Sequence, residues 1–308
     1  MIIRTLLYAV ILITSFGCND DDLPDLLNRN EPKNVTGLNY VEAEGGDFTE
    51  LYDKLITTLN GNTAVSIVAQ VDHAANAQSV GESLRPTRTV LFGNPRLGTP
   101  LMQINPQAGL DLPQKMLVYE AEDDDVILAY NTVEYLANRH GVSAASTLVD
   151  MRDDLGALAA GVGNDNVVNA ADNDVSLNEG VMDITVSGSV DSVYAKLRAA
   201  IVGNANLRII AELDHQANAA SVGLELPAMR LIVFGNPQLG TPLLQEERSV
   251  GIDLPQKMLV YALGDDNVTV AYNDPYYLAE RHDIDEDTPE LATIRDALSA
   301  LARTAVGL

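Results

Sequence analysis

The chain is poor in the residues that carry the commonest chemistries. Among its 308 residues there are one cysteine, no tryptophan, four phenylalanines and four histidines. A single thiol, Cys18, rules out an internal disulfide and any cysteine cluster for a metal. Positive charge is scarce too: 19 Lys and Arg stand against 44 Asp and Glu, for a formal charge of −25. Sequence-independent nucleic-acid binding needs cations on phosphates, so this composition argues against it. Anionic lipid headgroups are repelled for the same reason. The signatures of nucleotide binding, serine hydrolysis and zinc hydrolysis are missing, and no calcium loop of regular Asp spacing occurs. The acidity serves solubility first, with cation binding as the lesser alternative.

What is present begins at the N-terminus. Arg4 precedes the apolar stretch Leu6 to Ile13, followed by Thr14-Ser15-Phe16-Gly17-Cys18, the layout of a secretory signal. The stretch is shorter than the ~20 residues a spanning helix needs, so cleavage is expected rather than anchoring by a helix. The segment resembles a bacterial lipobox with Cys18 as the lipidated residue. Phe16 and Ser15 depart from the small residue and Leu usual there. Asn19-Asp20-Asp21-Asp22 is similar to the acidic tether of surface-exported lipoproteins. The expected location is therefore the outer membrane, facing periplasm or cell surface.

The dominant feature is a duplication. The string from Val71-Asp72-His73 to Arg139-His140 returns without a gap as Leu213-Asp214-His215 to Arg281-His282, at a constant offset of 142 residues. Such self-similarity means two copies of one folding unit. Phe48, Leu51, Tyr52, Leu55 and Leu59 have helical spacing behind a capping box at Asp47. Gly61-Asn62 and Gly203-Asn204 are natural stops for left-handed caps. Short strands are expected at 66–71, 89–92, 115–119 and 126–130, the last two joined by a hairpin at Asp123-Asp124-Asp125. Asp274-Pro275 opens a helix, and Thr99-Pro100 has the same spelling. A further helix closes each copy. The reading is an α+β fold: two tandem β-α-β-β-β-β-α-α domains, each a curved antiparallel sheet packed on helices. Residues 1–18 are assigned to the signal peptide, 19–34 to the tether, 35–162 and 181–308 to the domains, and 163–180 to a linker.

Phe92-Gly93-Asn94-Pro95, Gly98-Thr99-Pro100-Leu101-Met102, Asp111-Leu112-Pro113-Gln114-Lys115-Met116-Leu117-Val118-Tyr119, Ala129-Tyr130-Asn131 and Arg139-His140 occur in that order, and again from Phe234 to His282. This string resembles the family called domain of unknown function 302. The resemblance implies the same α+β fold and no established activity. Arg85-Pro86-Thr87 becomes Pro227-Ala228-Met229 in the second copy, so a site formed by that loop is expected to survive in one domain only.

The candidate ligand-binding residues are His73, Arg88, Asn94, Thr99, Asp111, Lys115, Tyr130 and His140, with their counterparts His215, Arg230, Asn236, Thr241, Asp253, Lys257, Tyr272 and His282. Alternation along the strand sets His73 on the face of Ile67, Ala69 and Val71. There it is either a hydrogen-bonded core imidazole or a base at a pocket rim. His140 follows Arg139 at a helix end, where positive charge suits the dipole. Convergence of Asp72, His73 and His140 on a metal is the weaker alternative. Lys115 with Tyr119 and Tyr130 either lines a polar cleft or packs across strands. No cofactor is expected. The leading reading is a lipid-anchored envelope protein whose paired domains bind a small ligand or protein partner. The competing reading is an envelope enzyme with His73 and His215 as acid–base residues, partnered by Asp111 or Lys115.

Overall fold

The computed structural model describes residues 32–122 and 124–308; the expected signal peptide, Cys18 and most of the expected tether lie outside them. The first copy runs β1 (Leu38–Ala43), α1 (Phe48–Gly61), β2 (Ser66–Asp72), α2 (His73–Gln78), β3 (Thr87–Gly93), α3 (Pro95–Ile104), a 3-10 turn (Pro106–Leu110), β4 (Gln114–Glu120), β5 (Val126–Asn131), α4 (Val133–His140) and α5 (Leu148–Gly163). The second repeats it: β6 (Val181–Ser187), α6 (Val190–Val202), β7 (Arg208–Asp214), α7 (His215–Ser221), β8 (Met229–Gly235), α8 (Pro237–Glu246), a 3-10 turn (Arg248–Ile252), β9 (Gln256–Leu263), β10 (Asn267–Asn273), α9 (Pro275–Arg281) and α10 (Pro289–Val306). The sheets have the orders β1-β5-β4-β3-β2 and β6-β10-β9-β8-β7, with antiparallel pairing throughout. This is the expected α+β architecture, made twice.

Local chemistry accounts for the element ends. Asp47 caps α1 by accepting from Glu50 N at 2.8 Å, and Asp274 with Pro275 at the first position opens α9. Three expectations need correction. His73 does not end a strand but begins α2, because the Asp72 carboxylate accepts from Ala75 N at 2.8 Å and caps a helix there. Thr99 is not a cap: Asn94-Pro95 starts α3 earlier, Asn94 Oδ1 accepts from Arg96 N, and Pro100 falls inside the helix. The left-handed caps are also elsewhere. Asn62 and Gly203 have φ of −96° and −70°, whereas Gly141 and Asn164 end α4 and α5 with φ of 63° and 58°. A left-handed residue is favourable after a helix but not obligatory, since a final tight turn also meets the last carbonyls.

Each sheet is buried on both faces. In the first copy, Met116, Val118, Leu128 and Tyr130 pack with Leu51, Leu55 and Leu59 of α1 and Leu155 and Ala159 of α5. The alternate residues Leu117, Tyr119, Ile127 and Ala129 form a second layer that includes Ile252 of the other copy. All six positions of β5 are buried, the pattern of a strand covered on both sides. The 3-10 turn of each copy presses on the other's sheet. A Cβ added at Gly109 meets Met229 Sδ at 2.8 Å, and one at Gly251 meets Leu117 Cδ1 at 2.9 Å. Only glycine lets the backbone come this close. The copies therefore pack face to face about a pseudo-twofold axis, and the intervening segment bonds β1 through Val168 and Tyr40, at 3.0 and 2.8 Å.

Candidate functional site

Two different constructions lie between the copies, and the first is ionic. Asp111 follows the 3-10 turn, and Arg139 and His140 end α4. Arg139 Nη1 and His140 Nε2 donate to Asp111 Oδ2 at 2.7 and 2.8 Å, and Lys257 Nζ reaches Oδ1 from the other copy at 3.2 Å. The mirror set is Arg281, His282 and Lys115 around Asp253, at 2.5, 3.0 and 3.6 Å. Arg139 also donates to Asn273 Oδ1 and the Glu179 carbonyl, and Arg281 to Asn131 Oδ1 and the Thr36 carbonyl, so each guanidinium binds both copies. The hydroxyls of Tyr135 and Tyr277 meet at 2.7 Å, with Arg281 4.1 Å above the Tyr135 ring centre.

Burial opposes ionisation of both aspartates, but the surrounding cations outweigh it and hold the carboxyls well below their usual range. Lys115 is pushed down to about 7 by burial and then by the neighbouring charge of Lys257. The carboxylates are consumed by cations here, and these groups line neither of the two cavities described next. This seam joins the copies.

The second construction is a pair of equivalent cavities of unequal size. In the first copy a cavity of about 500 Å³ is lined by Phe92, Asn94, Thr99, Gln114 and Met151, and by His215 reaching over from α7. Its counterpart, lined by Phe234, Asn236, Thr241, Gln256, Ile294 and His73, holds about 90 Å³. Side-chain size accounts for the difference. Val65, Ser66 and Val68 line the large cavity, whereas Leu207, Arg208 and Ile210 stand at the matching positions of the small one.

Buried polar atoms without a partner occur at both, Gln256 Nε2 beside the small cavity and Thr99 Oγ1 and His215 Nε2 beside the large one. His73 Nε2 bonds Thr89 Oγ1 at 3.1 Å, and that hydroxyl donates to the Gly251 carbonyl at 2.8 Å. Leu231 occupies the Thr89 position in the second copy, so His215 Nε2 is buried without a partner, as is Thr99 Oγ1. Gln114 Nε2 donates only to the Met151 sulfur, at 3.2 Å, a weak acceptor. Burial lowers both His73 and His215 to about 4, which keeps the imidazoles uncharged at neutral pH.

The candidate residues thus separate into three places. Asn94, Thr99 and His215 line the large cavity, and Asn236, Thr241 and His73 the small one. Asp111, Lys115, His140, Asp253, Lys257 and His282 form the seam. Arg88 and Arg230 lie at the helix-covered side: Arg88 pairs with Asp72 at 2.8 Å over the Phe48 and Tyr52 rings, and Arg230 with Asp191 and Asp214 over Tyr194. Tyr130 accepts from Asn39, and it and Tyr272 pack in the helix-covered cores of their own copies. Tyr119 and Tyr130 therefore sit on opposite sheet faces and make no cleft with Lys115.

The acid–base pairing of His73 with Asp111 or Lys115 is not formed. Asp72, His73 and His140 have separate partners, and among the described residues no group of three metal-ligating side chains converges. Gln114 and Met151 were not among the sequence candidates. The signal for Gln114 was β4, apolar on both faces around Gln114 and Lys115, which marks a sheet enclosed on two sides.

The duplicated sequence has known relatives. The family described as "Domain of unknown function DUF302" matches residues 40–159 and again 182–304. The chain is a tandem DUF302 protein. A protein named "Fluoride-specific ion channel FluC 1" from Brucella suis biovar 1 (strain 1330) is 38% identical over 100 residues, 32% of this chain and 37% of that protein. One of the same name from Brucella abortus biovar 1 (strain 9-941) is 38% identical over 100 residues, 35% of its length. The DUF302 chain thus spans little more than a third of these relatives. A solved structure, "uncharacterized conserved protein DUF302 from Bacillus stearothermophilus", is 19% identical with a TM-score of 0.38, covering 41% of this chain and 98% of that one.

Proposed function

We propose that the protein binds a small molecule at one site, the cavity of its first DUF302 domain closed by His215 of the second. The observation that supports this is the cavity itself, about 500 Å³ walled mainly by apolar side chains of the first domain and reached by His215 of the second. The volume falls within the roughly 300–1,000 Å³ typical of ligand pockets. The second cavity is filled by its own wall and serves the fold. The channel activity in the relatives' name is not carried over: the match spans about a third of those proteins, and no helix among the described residues is long and apolar enough to cross a membrane.

The test copies the second domain's wall into the first. Val65→Leu with Ser66→Arg and Val68→Ile is expected to abolish saturable Nile red binding to the full chain, with an unfolding midpoint close to that of the parent. Undiminished binding by this variant sinks the proposal. We further propose that the chain is held at the envelope through lipidated Cys18, on the strength of its signal layout. Cys18→Ser is expected to move the protein from the membrane fraction to the soluble one and to remove palmitate labelling. Unchanged fractionation and labelling count against the anchor.

A further inference from the structure

Resting on the ligand-binding reading of the first-domain cavity, we infer that its occupant is a cationic amphiphile: an apolar chain inside the cavity with a primary ammonium head at the mouth, held by the Asp154 carboxylate. The wall accounts for the chain. Leu59, Val68, Phe92, Leu155 and Leu158 line the cavity with hydrocarbon, which suits an alkyl tail more than a polar metabolite. The mouth accounts for the head. Asp154 lines the cavity and is exposed to solvent, so a group at the opening reaches it, and no Lys or Arg stands among the lining residues.

Asp154 is also free to take a ligand. Its carboxylate has no hydrogen bond or ion pair with the described residues, whereas cations of the flanking helices are engaged: Arg152 of α5 pairs with Glu134, and Lys54 of α1 donates to the Val162 carbonyl at 2.9 Å. Two exposed hydroxyls that line the same cavity have spent their protons. Thr58 Oγ1 donates to the Lys54 carbonyl at 2.8 Å and Ser221 Oγ to the Asn218 carbonyl at 2.6 Å, which leaves both oxygens as acceptors. An ammonium brings three N–H donors and a positive charge. An alcohol lacks the charge, and a carboxylate is repelled. The closed cavity supplies the contrast. In the second copy Ala200 and Ala297 stand at the positions of Thr58 and Asp154, and Arg208 at that of Ser66, so the acceptors are missing where there is no room for a tail.

The experiment is Nile red displacement from the full chain by dodecylamine, dodecanol and dodecanoate below micelle-forming concentrations, at about pH 8 where the amine and the carboxylate are both ionised. Dodecylamine is expected to displace the dye at concentrations about three- to fivefold below dodecanol, the scale of a solvent-facing ion pair, and dodecanoate to need the most. Asp154→Asn is expected to bring the amine level with the alcohol while dye binding remains. Asp153→Asn, which removes an exposed carboxylate of the same helix that does not line the cavity, is expected to keep the preference. A preference that persists in Asp154→Asn, or falls equally in Asp153→Asn, is general attraction to an acidic chain and overturns the inference. Dodecanol or dodecanoate matching the amine on the parent protein overturns it as well, and in each case the cavity reading stands. Displacement by none of the three, with the dye bound, overturns it too. Failure of the dye itself to bind removes the cavity reading underneath.

Discussion

The two domains carry nearly the same words around their cavities, yet one encloses about 500 Å³ and the other about 90 Å³. The loops are not the difference, because Asn94 and Asn236 cap their helices alike and Thr99 and Thr241 sit at matching positions. The difference is three wall residues at the entry to β2 and β7, the first of each set just before its strand, and one hydroxyl on β3. Val65, Ser66 and Val68 leave space that Leu207, Arg208 and Ile210 take up, and Thr89 satisfies His73 where Leu231 leaves His215 unpaired. A duplicated fold can thus keep one scaffold and still enclose unequal cavities, the larger one walled by the first copy and closed by His215 of the second.

The largest expected effect concerns what the copies still share. Asp111→Ala and Asp253→Ala each strand an arginine and a lysine in the seam, and removing one partner of such a buried cluster costs about 3–5 kcal/mol. Denaturant unfolding should show both losses, with Asp111 at least equal, since Lys257 lies at 3.2 Å from it and Lys115 at 3.6 Å from Asp253. Losses under about 1 kcal/mol for both, no more than a surface ion pair is worth, would falsify the structural role of the seam.

Acid comes next. His73 and His215 have folded pKa values of about 4, below the ordinary 6.5. As pH falls through the ordinary value the unfolded chain takes up protons first. The stability present above it is therefore lost towards pH 4, by up to ~3 kcal/mol for each imidazole. Unfolding measured near neutrality and near the folded values should reveal this loss, reduced in the double variant His73→Gln with His215→Gln. An equal loss in both proteins excludes the histidines as its source.

A smaller change opens the closed copy. Leu207→Val, Arg208→Ser and Ile210→Val in one chain should raise Nile red stoichiometry from one to two, at a stability cost of roughly 1–3 kcal/mol for the deleted methylenes. Stoichiometry that stays at one denies that these residues close the second cavity. The smallest effect separates the histidines. His73→Phe should cost about 1 kcal/mol, the worth of its bond to Thr89. His215→Phe should be neutral or stabilising, because it removes a partnerless polar atom. The reverse order on thermal unfolding breaks the assigned asymmetry.

Much of the fold could be read from residue order. Phe48 to Leu59 spell α1, the Asp-rich turns join β4 to β5 and β9 to β10, and Asp274-Pro275 starts α9. The misses share a cause: Asp72 and Asn94 are short polar side chains that serve equally as strand ends or helix caps, and only the local backbone chooses. The site was half legible. His73, Asn94 and Thr99 were candidates, but they were grouped within one copy, whereas the structure exchanges the histidines between copies. The expected divergence at Arg85 also proved to lie outside both cavities, in ion pairs with part-buried Glu120 and exposed Asp124.

The sequence by itself determined that one α+β domain is made twice, because helix period, strand alternation and turn chemistry are local and repeat with the residues. Only the tertiary structure decided that the sheets bury each other, that Asp111 is locked by Lys257, and that His215 closes the other domain's cavity. Those contacts join residues more than a hundred positions apart. What sets them is the shape of two packed faces, and a periodic pattern carries no record of which face will meet which.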